Sequence, residues 1–267
     1  MSWVSQVAAA RARRDPAVLV TVTSARGHVP RDAGAKMVVT ATRESGSVGG
    51  GNLEASAIEK AREMIAADEI VPVTMDFALN EHAPVEHGTQ CCGGEVTLLL
   101  EPIPPVPAIA VFGAGHVGLE LSRILVRQDL DLHLIDSRAG ELAPERLGIL
   151  SDPVGTLTTH HAPVPELVLG QVPRGTHVLI MTHDHSEDMA LCDAALRCGH
   201  LGSIGLIGSR SKWRRFEKRL LAEGHSPEAV AAISCPIGLP SITGKEPAVI
   251  ALSVAAQLAS QFAVAHA

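Results

Sequence analysis

Apolar positions come in two rhythms along this chain. Short unbroken runs, "AVLVTVTSA", "KMVVTAT", "IVPVTMDF" and "EVTLLLE", fill the first hundred residues and predict strands. Before them, Ser2 to Arg14 predicts a short helix, and the glycines of "SGSVGGGNLEASAIEKAREMIAA" open a second one. From residue 108 the order becomes regular. "AIAVFG", "LHLID", "THVLIMT" and "SIGLIGS" predict strands, with helices starting near Gly115, Glu187 and Ser211 and a loop-rich stretch after "LHLID". Strands alternating with helices imply βαβ units and a parallel sheet. The fold class is therefore α/β: a C-terminal Rossmann-like domain behind a smaller N-terminal α/β domain.

The seam is "EPIPPVP". Proline has no N–H and a fixed φ, so four prolines in six residues (Pro102, Pro104, Pro105, Pro107) suit a semi-rigid spacer better than a helix or a central strand. The expected domains are 1–101 and 108–267, joined by a linker at 102–107. The last segment, "PAVIALSVAAQLASQFAVAHA", is apolar but Ala-rich and dotted with Ser and Gln. It predicts a buried helix that packs on the first domain or a partner, with no membrane span.

Composition narrows the classes. The 267 residues carry 22 basic and 29 acidic side chains, a net charge of −7, which argues against a nucleic-acid binder. Aromatic residues are 2% with no tyrosine, so base-stacking platforms are not expected either. Five scattered cysteines suggest reduced thiols, and the first residues lack a signal-peptide pattern, so a cytoplasmic protein is expected.

"VFGAGHVG" places Gly113, Gly115 and Gly118 at a strand-to-helix turn. The first glycine permits the turn, the second lets a phosphate approach the backbone, and the third lets helix and strand pack closely. Asp136 ends the next strand, where a ribose-binding acid is expected, with Arg138 two residues on. His116 lies within the turn and either contacts a phosphate or faces solvent. "MTHDHSED" brings His183, Asp184, His185 and Asp188 to the carboxyl end of a strand, where open α/β sheets bind ligands. Asp184 with Glu187 also fits a capping box, and no third ligand is spaced for a metal. In "IGSRSKWRRFEKRL", Ser209, Arg210 and Lys212 sit at a helix start that suits an anion, while the remaining charges read as a solvated face. Trp213 and Phe216 read as core or contact residues. Gly49, Gly50 and Gly51 form a turn where backbone approaches a ligand or simply bends, with Asn52 as a candidate cap.

"QCCGGEV" sets Cys91 beside Cys92 in a glycine frame. Adjacent thiols are too close for an unstrained disulfide and lack zinc-knuckle spacing. They suit sulfur chemistry or a soft metal centre, and the spacing says no more.

Taken in order, "PRDAGAKM", "GSVGGGNLE", "QCCGGEV", "VFGAGHVG", "MTHDHSED", "IGLIGSRSK" and "CPIGLPSITGKEPAVIALSVAAQ" resemble the xanthine dehydrogenase accessory protein family, the XdhC/CoxI type, over nearly the whole chain. The resemblance implies a chaperone rather than a metabolic enzyme. Its cargo would be the molybdenum cofactor in its molybdopterin form, protected from oxidation and sulfurated with the help of a cysteine desulfurase. Cofactor biosynthesis proteins would be further partners. The receiver would be the molybdenum subunit of apo xanthine dehydrogenase, and the chaperone a homodimer. Cys91 and Cys92 would then hold the molybdenum or its labile sulfur. Two other classes remain: an NAD(P)-dependent oxidoreductase using the Gly113–Gly118 turn and Asp136, and a thiol-redox or metal-trafficking protein using the paired cysteines without a pterin.

Overall fold

The run "AVLV" is apolar at every position because the strand it opens is covered on both faces. This strand, β1 (Ala17–Arg26), sits in the middle of an antiparallel sheet with β2 (Lys36–Thr40), β3 (Glu44–Gly46), β4 (Val73–Ala78) and β5 (Glu95–Ile103), in the order β3-β2-β1-β5-β4. Side chains alternate between the faces of a strand. Val18, Val20 and Val22 point one way and join Met37, Val39, Val96, Leu98 and Leu100. Helix α2 (Gly51–Ala66) lays Leu53, Ala57, Ala61 and Met64 on that face, a stripe of helical period. Ala17 and Leu19 point the other way and are covered by Ala10 of α1 (Trp3–Ala12), whose first turn is capped by Ser2.

The structure is a computed structural model that describes residues 2–79 and 94–264. The described residues divide into two compact units, one running to Val106 and one comprising Pro107–Val264. Strand β5 runs into the proline-rich seam, pairing Pro102 with Val18 of β1. On its other side the pairing with β4 reaches only to Leu100, opposite Val73. Pro102 therefore stands where the strand has only one neighbour, the setting in which a missing N–H is tolerated.

The second unit is a parallel sheet of six strands: β6 (Ala108–Phe112), β7 (Asp131–Asp136), β8 (Thr156–His161), β9 (His177–Ile180), β10 (Ser203–Leu206) and β11 (Ile233–Ser234). Their order is β11-β10-β9-β6-β7-β8. The chain winds outward from β6 to β8, returns to β9 beside β6, and winds outward again. This is the doubly wound Rossmann topology, and its switch point lies between β6 and β9.

Helices cover both faces. Ala110, Phe112, Val178 and Ile180 meet α5 (His185–Cys198) and α6 (Arg210–Ala222) through Met189, Cys192, Phe216 and Leu220. Ile109, Val111, Leu132 and Leu134 meet α3 (His116–Leu125) and α8 (Pro247–Val264) through Leu121, Leu125, Ala251, Val254 and Leu258. Two one-turn helices, α4 (Pro144–Leu147) and α7 (Pro227–Ala231), complete the unit. The last helix packs on its own domain. Ala251, Val254, Ala255 and Leu258 recur at helical spacing and fill the face beside α3. Among the described residues no helix is long and apolar enough to cross a membrane.

Leu258 tests this placement. Replacing Leu258 by Ala empties a buried site and is expected to cost about 2–4 kcal/mol of the second unit's stability. Urea unfolding followed by Trp213 fluorescence, in a Trp3→Phe background, reads that unit. An unchanged midpoint would mean that α8 does not belong to this core.

Candidate functional site

At the switch point the backbone of β6 turns into α3 under tight constraint. Gly113 has φ +114°, and a Cβ there would strike the carbonyl of Met181 at the end of β9. A Cβ on Gly118 would strike the carbonyl of Gly113. These two glycines exist for close packing. Gly115 differs, because a Cβ there would meet nothing within 4 Å. It is the N-cap of α3, and no side chain caps that helix. The first-turn N–H groups of α3 are left for water or a ligand, at the positive end of the helix dipole. His116 is exposed beside them.

Asp136 does not face the crevice as a free acid. It is 3% exposed, and its two oxygens take four donors. The Ala114 N–H lies 2.8 Å away, the Arg138 N–H 2.9 Å, and the Arg138 Nε and Nη2 3.0 Å each. Burial pushes the Asp136 carboxyl up, but the hydrogen bonds from Arg138 and Ala114 outweigh it and hold the group below its ordinary value of 3.8. Arg138 also meets Glu141 at 3.3 Å. Glu141 holds Arg146 at 2.7 Å, and Arg146 reaches the carbonyl of Ala114 at 3.3 Å. Glu141 and Arg146 come from the loop-rich stretch after β7, where no periodic pattern marks them out.

Across the switch point, α5 and α6 begin with their own caps. Asp184 accepts from Ser186 and Glu187, and Ser209 accepts from Lys212. The capping reading of Asp184 is therefore the one the geometry carries. His183, His185 and Arg210 are exposed at this edge. Lys212 is not. It lies on the buried stripe Lys212, Phe216, Leu220 of α6, 7% exposed. Its ammonium donates to Asp188 at 2.5 Å and to the Ile207 carbonyl at 2.9 Å, over the Phe216 ring. Its place at the helix start suggests an anion contact, but this spacing turns the side chain inward onto Asp188.

Asp188 is 1% exposed. Its second oxygen takes the N–H and hydroxyl of Thr182, at 3.1 and 2.8 Å. One ion pair thus ties the ends of β9 and β10 to the starts of α5 and α6. Two thiols lie nearby. Burial pushes the Cys192 thiol up to about 12, with Asp188 adding to it, and burial likewise raises Cys235. Among the described residues no group of three His, Cys, Asp or Glu could hold a metal ion.

In the first unit, three of the motifs meet at one end of the sheet. A Cβ on Gly49 would come within 2.5 Å of the Pro30 ring. A Cβ on Gly94 would come within 2.5 and 2.6 Å of the carbonyls of His28 and Arg26. Glu54, from the first turn of α2, reaches back to the turn before it. One of its oxygens accepts from the Ser47 hydroxyl at 2.6 Å and from the N–H groups of Val48 and Gly50, both at 3.1 Å. Burial pushes this carboxyl up, and the bonds from Ser47 and the backbone hold it down on balance. The cap is Gly50 supported by Glu54, in place of the expected Asn52. Cys91 and Cys92 lie outside the described residues.

Two family models match the chain. One described as the XdhC Rossmann domain covers residues 109–258, and one described as the XdhC and CoxI family covers residues 10–77. YqeB of Escherichia coli strain K12, an uncharacterized protein, is 24% identical over 258 residues, 97% of this chain and 46% of YqeB. The chain therefore spans about half the length of that relative. PaoD of the same organism, a molybdenum cofactor insertion chaperone, is 27% identical over 273 residues, 91% of this chain and 83% of PaoD. A crystal structure of a xanthine dehydrogenase from Bacillus halodurans aligns with a TM-score of 0.50 at 20% identity, covering 99% of this chain and 96% of that one. At that identity the likeness concerns the fold.

The two carboxylates predict distinct behaviour. Replacing Lys212 by Met leaves Asp188 buried without its counter-charge and is expected to cost about 3–5 kcal/mol in urea unfolding. Asp136, held low in the folded state, stabilises the protein at pH above the ordinary carboxylate value. That contribution is lost as pH falls through the depressed native value. The urea midpoint of the wild type should therefore fall more steeply in acid than that of Asp136→Asn. Parallel acid profiles would refute the assignment.

Proposed function

From the premise that the chain belongs to the XdhC and CoxI family, we propose that it is a molybdenum cofactor chaperone. In this reading it receives the molybdopterin form of the cofactor, shields it, supports its sulfuration by a cysteine desulfurase and delivers it to the molybdenum subunit of a xanthine dehydrogenase. The cofactor is cargo, and the chaperone itself works as a homodimer in the cytoplasm.

The observation that carries the reading is the uncapped start of α3 at the switch point, with open space over Gly115. A phosphate on the cargo fits there, because first-turn N–H groups and the helix dipole favour an anion. Exposed Arg210 can assist from the start of α6, and exposed His116, His183 and His185 offer further polar contacts. The neighbouring fixed cations do not add a strong trap. Lys212 is matched by Asp188, and Arg138 by Asp136 and Glu141. An anion held mainly by N–H groups is held reversibly, which is what delivery requires. Cys91 and Cys92 are the proposed soft ligands for the molybdenum or its sulfur, since thiolates suit such a centre.

The test is loading. Purified protein is mixed anaerobically with released cofactor and desalted, and molybdenum and pterin are assayed together. The wild type should retain both in near-equal amounts. The Cys91→Ala/Cys92→Ala variant should lose molybdenum. Gly115→Val should lose both while unfolding at the wild-type urea concentration, because its side chain enters open space. Wild type that retains neither would overturn the proposal.

A further inference from the structure

In doubly wound folds an adenine dinucleotide lays its ribose diol on the acid that ends the second strand. Here that acid is Asp136, and its state decides which ligands the crevice accepts. A carboxylate offers about four lone-pair sites. All four are filled, one by Ala114 and three by Arg138. The carboxylate is also almost wholly buried, and the guanidinium is its partly exposed neighbour.

We infer that Arg138 is a specificity determinant that closes the Rossmann crevice to adenine dinucleotides by occupying the ribose-binding acid. A ribose diol would have to displace the Arg138 fork to reach Asp136, and the displaced charge would leave a buried carboxylate with only its two backbone hydrogen bonds, from the N–H groups of Ala114 and Arg138. The latch is itself held in place. Arg138 Nη1 meets Glu141, and Glu141 ties Arg146, whose Nη2 reaches Ala114 in the glycine turn. A 2′-phosphorylated dinucleotide fares no better. An arginine serves such ligands when its fork is free, whereas this one engages two carboxylates, and Glu187 at the start of α5 adds a third negative charge that acts on it. The crevice then accepts a ligand by its phosphate at the α3 start, with no ribose anchor at β7. The inference is independent of the cargo proposed above, because neither pterin nor molybdenum enters its test.

The test is calorimetric titration of NADH, NADPH and ADP-ribose into four proteins: the wild type, Arg138→Ala, Arg138→Lys and the Asp136→Asn/Arg138→Ala double variant. The wild type should show no saturable binding at millimolar ligand. Arg138→Ala frees the acid, so NADH and ADP-ribose should bind about tenfold or more tightly, the worth of hydrogen bonds to a charged group. The added Asp136→Asn change should cancel that gain, which a purely structural role for Arg138 would not predict. If Arg138→Ala fails to fold, Arg138→Lys, which keeps the charge but loses the fork, should show a smaller gain. Saturable micromolar binding of NADH or NADPH by the wild type would overturn the inference. So would unchanged affinity in a folded Arg138 variant.

Discussion

Buried negative charge organises the carboxyl edge of the parallel sheet. Asp136 and Asp188 are both almost fully inside, where a carboxylate is costly unless it is paired and hydrogen-bonded. Asp188 meets this requirement by drawing Thr182 from the end of β9 and Lys212 from α6 to one point. Asp136 meets it by drawing the Ala114 N–H from the glycine turn and the whole fork of Arg138. The loops of the edge are thus held by charge satisfaction, while the apolar layers hold the sheet beneath them. The two demands coincide at the turn itself, where Gly113 must pass under Met181 and Gly118 must pass over Gly113.

This organisation determines what the edge can offer a ligand. Of the two cations that sequence position assigns to an anion, Lys212 is consumed in holding the fold and Arg210 stays exposed. The other offering is backbone: the uncapped first turn of α3, with room above Gly115. This edge presents dipoles and a few exposed side chains, and the proposal of a carrier rests on that surface together with membership of the XdhC and CoxI family.

Much of the fold was legible because buried strands are written as apolar runs. β6 is buried at all five positions and reads as "AIAVF". β8 was hidden for the opposite reason. Its residues, Thr156–His161, lie at the sheet edge with mostly polar side chains, so no apolar rhythm marks them. β3 and β11 are too short to carry a period. The site was legible in its glycines and in the positions of Asp136 and Asp188. Its logic was not. Lys212 sits at a helix start that reads as an anion contact, and only its four-residue spacing from Phe216 hints that it turns inward. Glu141, the second partner of Arg138, comes from a loop with no pattern, and pairing across 22 residues between Ala114 and Asp136 cannot be seen before the strands are laid side by side.

The first unit follows the same rule with a different device. Glu54 stands in the first turn of α2, where a carboxylate is favoured by the helix dipole, and one of its oxygens gathers the turn of Ser47, Val48 and Gly50. That turn packs on Pro30 through Gly49, and the backbone after Pro30 returns as β2. Gly94 closes on the carbonyls of His28 and Arg26 at the start of β5. Each contact is so close that only glycine fits, so the three loops are mutually fixed. A loop cluster fixed this tightly costs conformational freedom, and surface turns rarely need it. The cost falls where the chain enters β5, two residues after Cys92 in the sequence, beside the two thiols proposed above as soft ligands.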